Sequence, residues 1–139
     1  MSLCVLDTDH LSLFRFGHDR VVARLAIQPP AEVAITIISV EEQLRAWYTL
    51  IRKARDVHQR ARGYQGLYEV VEEVRLFRVL PFAHSAIQRY DELRKQLPRL
   101  GKMDLSIAAI TLEHQGMLVT RNRQDFEQIP GLGIEDWSV

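Results

Sequence analysis

Residues 3–9 read Leu3-Cys4-Val5-Leu6-Asp7-Thr8-Asp9, four apolar residues that stop abruptly at an acid. The shape recurs along the chain. Val33-Ala34-Ile35-Thr36-Ile37-Ile38 leads to Glu42, Met117-Leu118-Val119-Thr120 leads to Asp125, and Asp104 opens the run Leu105-Ser106-Ile107-Ala108-Ala109-Ile110. Short, nearly continuous apolar runs are the pattern of strands buried on both faces of a parallel sheet. Where such strands alternate with helical segments, the chain builds parallel βαβ units with helices on both faces, an α/β fold. Ligands of such folds bind in the crevice at the carboxyl ends of the strands. Carboxylates gathered there, with few cations to offset them, would suit a hard divalent metal ion.

The segments between the runs carry helical signals. Residues 8–15 predict one helix and residues 18–28 a second, stopped by Pro29-Pro30. After the β-rich run from Val33 to Ile38, Ser39 begins a helix whose Leu44, Trp47, Tyr48 and Ile51 repeat at buried-stripe spacing. Leu67, Val70, Val71 and Val74 repeat likewise in the next helix, with Gly63 and Gly66 loosening its start. Leu76 to Leu80 reads as a short strand ended by Pro81. Ser85 is placed to cap a helix running through Ile87, Tyr90, Leu93 and Leu97, which Pro98 and Gly101 terminate. Asp104 starts an apolar helix to about Gln115, with Gly116 as its stop. Met117 to Thr120 predict a strand, Gln124 to Gln128 a helical turn, and Leu132 to Ile134 a last strand.

With 139 residues and no repeat or Gly/Ser linker, the expectation is one domain over residues 1–139. A chain of that size buries about two-thirds of its unfolded surface. Eighteen Lys and Arg balance 18 Asp and Glu, so no global cation field exists, and any nucleic-acid binding must rest on a local patch or a dimer groove. Cys4 is the only cysteine, which excludes an intramolecular disulfide and a thiolate metal cluster. The first apolar stretch ends at Asp7, too soon for a signal peptide, and no run approaches a membrane span of roughly 20 residues. A cytoplasmic protein is the expectation.

Each acid also has a capping explanation. Ser39-Val40-Glu41-Glu42 fits a capping box with Glu42 reaching back to the Ser39 amide. Asp7-Thr8-Asp9 could cap the first helix, Asp104 could be an N-cap, and Asp125 could be a first-turn acid after Asn122. Taken singly, capping is the stronger explanation. Four acids at four strand–helix junctions of one sheet edge would, however, repel one another unless a cation or shared proton offset them. For the set, a site is the better explanation.

These residues resemble the PIN-domain nucleases, specifically the VapC-type toxins of prokaryotic toxin–antitoxin modules. The resemblance rests on Leu6-Asp7-Thr8-Asp9, on Ile38-Ser39-Val40-Glu41-Glu42, on Met103-Asp104-Leu105-Ser106-Ile107-Ala108-Ala109, and on Leu118-Val119-Thr120-Arg121-Asn122-Arg123-Gln124-Asp125-Phe126. Ile129-Pro130-Gly131-Leu132 and the pair Asp136-Trp137 extend it, so motif order matches along almost the whole chain. The resemblance implies a three-layer α/β/α sandwich with a short, mostly parallel five-stranded sheet, and an endoribonuclease dependent on Mg²⁺ or Mn²⁺. It implies Asp7, Glu42 and Asp104 as the acidic, metal-holding core. The family's fourth acidic position falls on or near Asn122, which leaves open whether Asp125 or nothing completes the set. Asp9 stands where many relatives carry Asn. A homodimer and a cognate antitoxin, with RNA as substrate, are further implications.

On this reading Asp7 and Asp104 are the direct ligands, Glu42 holds a water or a second metal, and the cation activates water and offsets charge at phosphorus. Thr120 either orients a carboxylate or water, or caps the turn. Arg121 and Arg123 flank the fourth motif and are candidates for phosphate contact. Arg52, Lys53, Arg55, Arg60 and Arg62 read at least as well as a solvated helix face. The five histidines show no zinc spacing; His10, beside Asp7-Thr8-Asp9, could touch the site but reads better as an ordinary helix position. Trp47, Tyr48 and Trp137 read as core or interface. Two other functions compete. One is a haloacid-dehalogenase-like phosphatase, suggested by Asp7-Thr8-Asp9 but lacking that family's Thr or Val at Leu11. The other is a PIN-like module that binds RNA or protein without cleaving, supported only by Asn122.

Overall fold

The computed structural model describes residues 3–139. Its frame is a five-stranded sheet of β1 (Cys4–Leu6), β2 (Val33–Thr36), β3 (Arg78–Leu80), β4 (Met117–Val119) and β5 (Gly133–Glu135), in the order β3-β2-β1-β4-β5. Every pairing is parallel. Central strand β1 registers Val5 against both Ala34 and Leu118. Because side chains alternate across a strand, this register sorts the core into two layers. Val5, Ala34 and Leu118 face one side, packed with Leu93 of α5 (His84–Gln96) and Ile107 and Ala108 of α6 (Lys102–Glu113). Cys4, Leu6, Val33, Ile35 and Val119 face the other, packed with Leu11 of α1 (Thr8–Arg15), Val21 of α2 (Asp19–Ala26) and Trp137. The result is the expected α/β/α sandwich.

The order of the strands positions the site. From β1 the chain steps outward to β2 and β3, then returns to the far side of β1 as β4 and β5. The strand order therefore reverses between β1 and β4, and at such a switch point the connecting segments diverge and leave a crevice at the carboxyl edge.

Local boundaries differ from the sequence-based expectation where capping decides. Helix α3 (Ile37–Lys53) begins two residues before Ser39, because Thr36 at the end of β2 caps it, its Oγ1 accepting from the Ser39 amide at 3.3 Å. Two β-branched residues suit a strand or a helix, and the Thr hydroxyl breaks the tie. Ser85 does not cap α5. The cap residue is Ala83, and no side chain bonds there. In α4 (Val57–Val74) the glycines lie mid-helix and tighten rather than loosen the structure. A Cβ on Gly63 would fall 2.6 Å from Ile51 Cγ1, and one on Gly66 would overlap the Trp47 ring. They let α3 and α4 meet as a close hairpin. That hairpin covers its apolar stripe only in part: Tyr48 is 48% exposed and Val71 54%. Gly116, after α6, lies against the Leu3 carbonyl, and Met117 opens β4. No helix among the described residues is long and apolar enough to cross a membrane.

Candidate metal centre

At the carboxyl end of β1 lies a cleft of about 450 Å³ whose walls include Asp7, Thr8, Asp9, Glu42, Asp104, Arg121 and Asn122. Asp7 is 7% exposed and follows β1 directly. Its amide continues the β1–β4 ladder by donating to the Val119 carbonyl (3.1 Å), and its Oδ1 caps α1 by accepting from the His10 amide at 2.7 Å. Capping and site lining thus coexist in one side chain. Glu42 lies in the second turn of α3, where the Thr8 hydroxyl donates to its Oε1 at 2.7 Å. The same hydroxyl lies 2.9 Å from Ser39 Oγ, so Thr8 ties the start of α1 to α3. No capping box forms between Ser39 and Glu42, since α3 has already begun. Asp104 sits in the first turn of α6, whose cap is Gly101 with no side-chain bond. Asp104 is therefore a first-turn acid, not the N-cap.

Three carboxylates from three separate segments consequently line one cleft. Burial, then the charges of Glu42, Asp7 and Asp125, push the Asp104 carboxyl above the ordinary carboxylate range. Among the described residues no Lys or Arg pairs with Asp7, Glu42 or Asp104. Oxygen donors that are crowded, negative and without a cationic partner are the chemistry that Mg²⁺ or Mn²⁺ accepts.

A second grouping of possible ligands, Asp7, Asp9 and His10, has donor atoms within 4.8 Å of one another. Its members are less available. Asp9 is bound bidentately by Arg121, with Nε and Nη2 at 2.6 and 2.9 Å. The fully buried His10 ring accepts the Trp137 amide at Nε2 (3.2 Å), which puts the ring proton on Nδ1, the nitrogen nearer Asp7. Asp7, Glu42 and Asp104 line the same cleft without such pairing, although their carboxylate oxygens do not all lie within 4.8 Å of one another. His10 is also buried and not the ordinary helix position preferred from the sequence; the other possibility, contact with the site from its place beside Asp7-Thr8-Asp9, is the one its position 3.5 Å from Asp7 favours.

The fourth motif divides. Asn122 lines the cleft and caps the short helix α7 (Arg123–Phe126), accepting from the Asp125 amide at 3.4 Å while its Nδ2 donates to Asp125 Oδ2 at 3.0 Å. Asp125 is thus engaged by Asn122 and reaches the cleft only through its charge on Asp104. Thr120 is buried and its Oγ1 accepts from the Asn122 amide (3.0 Å), the turn-capping alternative. Arg121 stands at the cleft, whereas Arg123 pairs with Glu127 (3.6 Å). Thr8 and Ser39, which brace Glu42, carried no signal in the sequence beyond adjacency to the motifs.

The PIN domain profile matches residues 4–132. The chain belongs to the PIN domain family. Two proteins of Rickettsia felis named Ribonuclease VapC1 and Ribonuclease VapC2 are 36% and 33% identical to it over 63 residues, covering 42% of this chain and 47% of each relative. The chain spans about half the length of the relatives it matches. Among solved structures, VapBC-1 from nontypeable Haemophilus influenzae superposes with a TM-score of 0.79 at 19% identity, covering 99% of both chains. DNA-bound VapBC from Salmonella typhimurium gives 0.77 at 23%, again with 99% of both. FitAB bound to an IR36 DNA fragment gives 0.76 at 20%, covering 99% of this chain and 96% of the other. At these identities the likeness is one of fold, and a PIN fold sets aside the phosphatase alternative.

Proposed function

We propose that this PIN domain, a single unit over residues 1–139, is a VapC-type toxin: an endoribonuclease dependent on Mg²⁺ or Mn²⁺. The observation that carries the reading is that Asp7, Glu42 and Asp104 line one cleft with no Lys or Arg among the described residues in a salt bridge to them. Relatives named as ribonucleases support the nuclease assignment. Asp7 and Asp104 would hold the cation directly and Glu42 its water; the cation would supply Lewis acidity toward a phosphoryl oxygen and offset the charge that develops there. The chain's own groups do the rest. Thr8 holds Glu42 through Oε1, leaving Oε2 to take a proton from the water whose oxygen bonds to phosphorus, while the P–O bond to the leaving oxygen breaks and that oxygen takes a proton from solvent. Arg121 stands at the cleft edge where the strand's phosphates pass. Asn122 lines the same cleft and donates to Asp125 through Nδ2.

Solved structures of similar fold are titled VapBC and FitAB, some bound to DNA, and by analogy the partner here is a cognate antitoxin. A homodimer and a cytoplasmic setting are what the family resemblance implies. Purified protein incubated with RNA tests the reading: cleavage in Mg²⁺ or Mn²⁺ that EDTA abolishes is the expected result, and intact RNA under both metals would overturn it in favour of a binding module.

A further inference from the structure

His10 lies under the proposed metal centre with no exposed surface and joins two places 127 residues apart. On its Nε2 side, the Trp137 amide donates at 3.2 Å. Asp136 Oδ1 is 3.5 Å from the same nitrogen but is already engaged by the Ser138 amide at 2.8 Å and the Ser138 hydroxyl at 2.6 Å. Nε2 is thus the accepting nitrogen and Nδ1 carries the ring proton. Nδ1 is buried without a hydrogen-bond partner. Its near neighbour is Asp7 Oδ1 at 3.5 Å, the oxygen that already accepts the His10 amide at 2.7 Å. A buried donor left just out of reach of a carboxylate is costly, and it needs an explanation.

We propose that His10 is a positioning residue for the metal centre: anchored at Nε2 by the Trp137 backbone, it aims Nδ1–H at Asp7 Oδ1 and holds that carboxylate in the orientation that receives the cation. Carboxylates that ligate metals are themselves held by hydrogen bonds from surrounding groups, and loss of such a partner lowers metal affinity by about 10–100-fold. The unpartnered Nδ1–H is the group available for that task, and the 136–137 segment sets the ring's angle. Asp7 orientation therefore depends on a contact made after β5, at the far end of the chain.

The inference rests on Asp7 being a metal ligand, and the test separates the two. Mn²⁺ alone is titrated into the parent, Asp7→Asn, His10→Gln and His10→Asn, with binding followed by electron paramagnetic resonance and folding by thermal melts. Gln reaches the Nε2 position and keeps an acceptor for Trp137 but withdraws the donor from Asp7; Asn keeps an amide N–H at the Nδ1 position and gives up the Trp137 contact. His10→Gln is expected to weaken Mn²⁺ binding by about 10–100-fold. His10→Asn should stay much closer to the parent even if it melts lower. Parental affinity in His10→Gln, or equal losses in both His10 variants, would overturn the positioning role. Failure of the parent to bind Mn²⁺ in an Asp7-dependent way would instead overturn the metal reading, and this inference with it.

Discussion

Two sets of acids line the cleft and behave differently. Asp9 is clasped by both arms of Arg121, an exposed pair that neutralises itself. Asp7 accepts from the His10 amide and Glu42 from the Thr8 hydroxyl, and no Lys or Arg among the described residues pairs with these two or with Asp104. Proximity alone would not separate the sets, since Asp7 and Asp9 oxygens lie within 4.8 Å of each other. What separates them is whether the fold supplies a paired counter-charge.

The largest expected effect comes from removing an acid that has no Lys or Arg partner among the described residues. Asp7→Asn or Asp104→Asn should lower RNA cleavage by about 10³-fold or more, the several kcal/mol that a catalytic cation supplies. Asn is near-isosteric, so the melting curve should remain cooperative; cleavage at the parental rate by either variant would move the site elsewhere. Next, supplying the missing charge should stabilise the fold by mass action. Mn²⁺ at about 100 times its dissociation constant adds about 2.7 kcal/mol, read as a rise in Tm that Asp7→Asn loses.

A smaller effect concerns the metal-free protein. The Asp104 carboxyl is raised by burial and by Glu42, Asp7 and Asp125. Between the ordinary carboxylate value and that raised value the folded state binds more protons than the unfolded, so stability falls as pH climbs through this window. The penalty persists at neutral pH. Without metal, Asp104→Asn should therefore melt a few degrees above the parent at neutral pH, and the gap should close below the ordinary carboxylate value; an unchanged gap across the titration would mean the crowding is relieved some other way. The smallest effect belongs to the Asp9–Arg121 pair. Arg121→Ala should leave Tm nearly unchanged, because exposed ion pairs contribute little. It should weaken RNA binding and reduce its salt dependence by about one phosphate contact, and an unchanged salt slope would remove Arg121 from the RNA path.

Much of the fold was legible because the signals were local. The buried runs at Cys4–Leu6, Val33–Thr36 and Met117–Val119 appear as strands within a residue or two of their expected places. Helix α1 runs over Thr8–Arg15, as its polar and apolar spacing indicates. Errors gathered where two local preferences compete. Thr36, not Ser39, caps α3, and Gly63 and Gly66 serve helix contact instead of helix weakness. A glycine's purpose depends on what approaches it, and here that is Trp47 and Ile51, from a different helix.

The site divides along the same line. Sequence by itself placed Asp7 at a strand end, because apolar run and acid are covalent neighbours; Glu42 stands inside α3 and Asp104 in α6, which follows helix α5 and not the strand–helix junction expected. Tertiary structure decided that these acids line one cleft and which of them pair with a cationic side chain. Arg121 reaches Asp9 across 112 residues, Thr8 reaches Glu42 across 34, and Trp137 reaches His10 across 127. Hydrogen bonds and ion pairs act over a few ångströms, so a residue's partner is set by where the chain returns, and no local pattern in the sequence records that return.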